Sequence, residues 1–143
     1  MAGEKFSDRE RAFLESVMKK ASLPDIYDAK DLTTVVFRSM RDLMTTTEDQ
    51  QTEAAFKDAE IEELWRDDNP IVSFLSRFRN PLKIDTATFL RRIKQEGGMP
   101  KGVTAEAVVI AVFSTARESL PPEQIQQISK TLPDGLRIMW DQI

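Results

Sequence analysis

The chain has 143 residues, the size of one ordinary domain, and folding should bury about 68–70% of the surface its unfolded form exposes. Apolar residues make up 41%, charged residues 31%, and the formal net charge is −4, a soluble balance that argues against nucleic acid as the main partner. Neither cysteine nor histidine occurs, which excludes disulfides, thiol nucleophiles, Ser-His-Asp triads and zinc sites built from Cys or His.

The opening residues carry no apolar core of a signal peptide, and no apolar run reaches bilayer length, so a cytoplasmic location is expected. Ser7-Asp8-Arg9-Glu10 reads as a capping box that starts a first helix. Phe13, Leu14, Val17, Met18 and Ala21 share one face of it. Pro24 ends it, because the residue before a proline is pushed out of the helical region. A second helix is expected over 29–44, capped by Asp28, with Leu32, Val35, Val36, Met40, Leu43 and Met44 as its inner stripe. Thr47 and Gln50 suggest a further box opening a third helix that runs towards Trp65, with a break near Asp58.

Asn69-Pro70 signals a short connector helix over 70–81, with Ile71, Phe74, Leu75 and Phe78 at helical spacing. The fourth helix opens at Ile84-Asp85, where Ile84 can staple onto Phe89, and closes at Gly97-Gly98, which supply a left-handed cap. Thr104 caps the next helix. Pro133 then divides the last stretch into helices over Pro122–Thr131 and Asp134–Asp141. No alternating run is bounded by hairpin turns, so the class is all-α.

Slid against itself, the chain pairs with its own second half at one constant offset. Phe13-Leu14 meets Phe89-Leu90, Pro24 meets Pro100, Ala29 meets Ala105, Val36-Phe37 meets Val112-Phe113, and Arg41 meets Arg117. Asp42 then stands opposite Glu118, and after one inserted residue Trp65 stands opposite Trp140. The reading is two tandem copies of a three-to-four-helix unit, packed into one helical domain over 1–143. The copies span about 6–69 and 82–143, joined by the connector. Helices near 7–21, 29–44 and 47–66 are expected to superpose on those near 86–96, 105–119 and 122–141. Both tryptophans are expected to be buried.

Two charged stretches are candidates for chemistry. The run over 48–68 carries nine carboxylates against Lys57 and Arg66. It lacks the ligand spacing of an EF-hand, so a solvated helix face is expected and no metal or cofactor is assigned. The stretch 77–94 is its opposite, with Arg77, Arg79, Lys83, Arg91, Arg92 and Lys94 against Asp85. It could bind an anionic ligand, RNA or an acidic protein surface, but it has no tyrosine or tryptophan to stack bases. The reading preferred is that it meets the chain's own acidic third helix or faces water. Residues 71–79 could lie in a membrane interface, yet they span only two to three turns, and core packing is preferred. The loop 97–102 lacks the Gly-Lys-Ser/Thr ending and preceding strand of a phosphate loop.

FLRRIKQEGG followed by AVVIAVFSTARESLPPEQIQQISKTLPDGLRIMW resembles a bacterial family of uncharacterised domains whose members carry two related helical halves. Arg117, Leu120, Pro122, Glu123, Leu132, Pro133, Leu136, Arg137 and Trp140 match its pattern. The first half keeps chiefly Phe37, Arg41 and Trp65. The resemblance implies an all-helical fold and brings no established activity or catalytic residue.

The leading expectation is a non-catalytic protein-interaction or regulatory module with a protein partner, a homodimer being one form of it. The runner-up is a binder of anionic ligand or RNA through 77–94. An enzyme comes third, because it would have to work with Asp, Glu, Lys, Arg, Ser, Thr or Tyr27 alone.

Overall fold

The computed structural model describes residues 6–66 and 81–142. The connector helix expected over 70–81, and Arg77 and Arg79 with it, fall almost wholly outside the described residues. Eight helices are present among those described, and no strand. They are α1 (Asp8–Ala21), α2 (Ile26–Asp42), α3 (Thr46–Asp58), α4 (Glu62–Trp65), α5 (Thr86–Glu96), α6 (Ala105–Ser119), α7 (Pro122–Thr131) and α8 (Asp134–Asp141).

Local signals set most boundaries. Ser7 and Glu10 form the reciprocal box at α1, and the chain leaves that helix through Ser22 in the left-handed region. Thr104 caps α6 by accepting from the Ala107 amide. Asp85 caps α5 by accepting from the Thr88 amide at 2.8 Å. Beyond α5 it is Gly98, at φ 61, that takes the left-handed turn. Gly97 is right-handed, and what it needs is the missing side chain: a Cβ there would lie 2.7 Å from the Ile93 carbonyl oxygen and run into Leu32.

Two starts differ from the sequence expectation. Helix α2 begins three residues early, because Asp25 rather than Asp28 adopts the extended conformation and accepts from the Asp28 amide at 2.8 Å. That brings Ile26 onto the core. Helix α3 opens with a Thr45–Glu48 box instead of Thr47–Gln50. The chain leaving α2 is already extended at Thr45, and a charged carboxylate is the better acceptor at the positive end of a helix.

The break near Asp58 is present. Glu60 turns left-handed at φ 64, its amide bonds to the Lys57 carbonyl, and the Ile61 amide bonds back to the Phe56 carbonyl, both at 2.9 Å. This double closure buries Ile61 and aims α4 back at α2.

One apolar cluster draws on both halves of the sequence. Helix α2 packs on α1 and α4, and α6 packs on α5 and α8. Between the halves, α1 lies on α6, α5 on α2, α3 on α7 and α2 on α6. The partners thus pair off across the chain. The Phe37 and Trp65 ring centroids are 5.1 Å apart, and so are those of Phe113 and Trp140. Phe13 and Phe56 complete the cage around Phe37, at 5.9 and 5.3 Å. Such separations lie in the attractive range for aromatic pairs. Both tryptophans are fully buried with their indole N–H groups satisfied, Trp65 by Asp49 at 2.8 Å and Trp140 by the Ile125 carbonyl at 3.0 Å. Arg41 spans the first of these pairs, donating to the Trp65 carbonyl while its guanidinium lies 5.7 Å from the Trp65 ring.

Candidate functional site

Helix α5 divides the basic residues between two fates. Phe89 and Ile93 are its buried anchors, four residues apart on one face. Arg92 stands beside Ile93 and is drawn inward, donating to Asp42 at 2.8 Å and approaching Glu96 at 3.8 Å. Asp42 ends α2 and is only 4% exposed. Arg91 and Lys94, three residues apart, stay exposed on another side, as helical geometry requires. Lys83 is exposed in the extended segment before α5. Arg77 and Arg79 lie outside the described residues.

Among the described residues of this stretch, none forms an ion pair with the acidic third helix. Glu53 and Glu63 each pair with Arg66 at 3.2 Å, Glu48 closes its own cap, and Asp49 holds the Trp65 indole. The short-range needs of the first half use these carboxylates, and the inward arginine goes to α2 instead.

Arg91 and Lys94 form one wall of a groove of about 620 Å³ between α5 and the segment entering α6. Its apolar lining includes Leu90, Met99, Pro100 and Val103, and Glu106 adds one carboxylate. Neither Arg91 nor Lys94 makes an ion pair or side-chain hydrogen bond with the described residues; the Arg91 charge is felt at Asp85. That carboxyl is held below its ordinary value, first by the Thr88 side chain, then by the Thr88 amide, with Arg91 adding to the effect. The groove therefore offers an apolar floor with two available cations on its rim.

Sequence reasoning found the cations but not the floor. Met99, Pro100 and Val103 sit in a glycine-bounded loop that read only as a connection. Asp42 was visible as the partner position of Glu118, but its burial was not.

Acid–base chemistry by histidine and thiol chemistry have no side chain to carry them. Among the described residues no three carboxylates gather where they could hold a metal ion, and no helix is long and apolar enough to cross a membrane.

No curated protein matches the chain. Residues 10–139 match the family described as Uncharacterized conserved protein (DUF2267). That match spans nearly the whole sequence, both halves included, and the chain belongs to this family of uncharacterised conserved proteins.

Proposed function

We propose that the chain is a non-catalytic protein-interaction module that docks an acidic segment of a partner protein in the groove between α5 and α6. The observation that carries this reading is the pairing of an apolar floor with Arg91 and Lys94, two cations that form no ion pair with the described residues while their neighbour Arg92 is drawn into one. Buried apolar contact would supply affinity, and the two cations would select acidic sequences and speed encounter. The net charge of −4 disfavours a polyanionic nucleic acid as the occupant.

Titrating isotope-labelled protein with short acidic peptides that carry apolar side chains tests the reading. Amide shifts should cluster on 87–94 and 99–106 and weaken as salt rises. The double variant Arg91→Glu, Lys94→Glu should lose them with its melting temperature unchanged. Shifts scattered over other faces, or stronger shifts with a short RNA than with any peptide, would reject it.

A further inference from the structure

We infer that the α5–α6 groove is a seat for an aromatic side chain flanked by carboxylates, presented by a partner protein. The inference rests on the docking reading above and names what the docked segment must carry.

The first half of the chain shows the same place filled. There the Phe6 ring lies 6.2 Å from the Tyr27 ring, and the Arg11 guanidinium lies 5.9 Å from its centroid. Phe6 packs on the core from the side of α1 and the start of α2. The offset that carries Phe13 to Phe89 carries Arg11 to Ala87 and Tyr27 to Val103. Both counterparts line the groove in the second half. The same offset carries Leu14 to Leu90, Leu23 to Met99 and Pro24 to Pro100, so the apolar floor is kept.

Three differences open the second groove. The two walls that hold Phe6 become smaller, as Ala87 and Val103. The counterpart of Phe6 is Leu82, whose amide donates to the Asp42 carbonyl at 2.7 Å and whose side chain is 38% exposed. Glu15 and Met18 become Arg91 and Lys94, so an acidic and an apolar position both become cationic. The first half thus seats its own ring between Tyr27 and Arg11, whereas the second has room for a ring between smaller walls, with Arg91 and Lys94 on the rim. A ring with acidic neighbours satisfies both features: its faces cover the apolar floor, and its flanking carboxylates meet Arg91 and Lys94. The packing of α1 on α6 and of α5 on α2 supports treating the two places as counterparts.

The test uses the full chain and two peptides, Ac-Asp-Glu-Phe-Glu-Asp-amide and the same peptide with alanine in place of phenylalanine. Binding is followed by amide shifts and by fluorescence anisotropy of labelled peptide. The phenylalanine peptide should shift Ala87, Leu90, Met99 and Val103. Replacing its ring with alanine should weaken binding about thirtyfold, the scale of an anchoring side chain. Ala87→Trp places a ring in the groove from an exposed position and should abolish peptide binding with no change in melting temperature. Equal binding of the two peptides at the groove would overturn the aromatic seat while leaving acidic docking intact. No groove shifts with either peptide would overturn both. Self-association of the chain that Ala87→Trp abolishes, without peptide binding, would instead assign the groove to a second copy and reject a partner protein.

Discussion

The Arg92 guanidinium on α5 meets the Asp42 carboxylate on α2 at 2.8 Å, and the acid is almost fully buried where the two helices cross. Across the molecule, Lys20 on α1 meets Glu118 on α6 at 2.7 Å, and Glu118 is the residue that aligns with Asp42. The α5–α2 and α1–α6 contacts are therefore each clasped by an ion pair, with the acid in the last turn of the longer helix. The two clasps differ in weight, because Glu118 is two-thirds exposed where Asp42 is almost fully buried, and exposed pairs contribute about 0–1 kcal/mol.

Adjacent arginines should behave in opposite ways. Arg92→Ala removes the 2.8 Å ion pair of a buried carboxylate and should lower stability by about 1–3 kcal/mol. Arg91→Ala changes an exposed side chain and should stay within about 0.5 kcal/mol. Urea unfolding of the two variants checks this. Equal midpoints would mean that Asp42 does not depend on Arg92.

The tryptophans should rank among the most costly truncations. Each is fully buried against a phenylalanine 5.1 Å away, and each makes an indole hydrogen bond. Trp65→Ala and Trp140→Ala should each cost about 3–5 kcal/mol, a large share of the stability of a domain this size. Calorimetry of both would show it, and a shift of only a degree or two in either would contradict the packing described.

Glu60 offers a stabilising change. A left-handed conformation costs a residue with a Cβ about 1–2 kcal/mol, and glycine avoids that cost while adding entropy to the unfolded chain. The ion pair of Glu60 with Arg9 is exposed at both ends, so its loss matters little. Glu60→Gly should raise stability by up to about 1 kcal/mol, read as a higher urea midpoint. A lower midpoint would show that the Arg9 contact outweighs the backbone.

Asp85 should report on pH. Its carboxyl is held below the ordinary value of 3.8 by Thr88 and by Arg91, so the folded state favours the charged form. The stabilisation is fully present above the unfolded value and is lost as pH falls through the folded one. Asp85→Asn keeps a good cap but removes the charge. The variant should be less stable than the parent at pH 7, and the gap should close as pH drops below 3.8. A gap constant down to pH 2 would assign the effect to shape alone.

Local chemistry made much of the fold legible from sequence. Ser7 and Glu10, Thr104, Asp85, Gly98 and Pro133 mark their helix ends because caps and prolines act within a few residues. The apolar spacing of Phe13, Leu14 and Val17 fixed an inner face in the same way. Where two local signals competed, as at Asp25 against Asp28 and Thr45 against Thr47, sequence could not choose, since the direction of the chain leaving the previous element decided it. The site was divided more sharply. Sequence alone supplied the cations of α5, the absence of histidine and cysteine, and the offset relating the halves. Only the tertiary structure separated Arg92 from Arg91, because a helix turns about 100° per residue and the position of α2 determines which of two neighbours meets Asp42. It also made Leu90, Met99 and Val103 one floor, since they approach one another only when α5 and α6 pack.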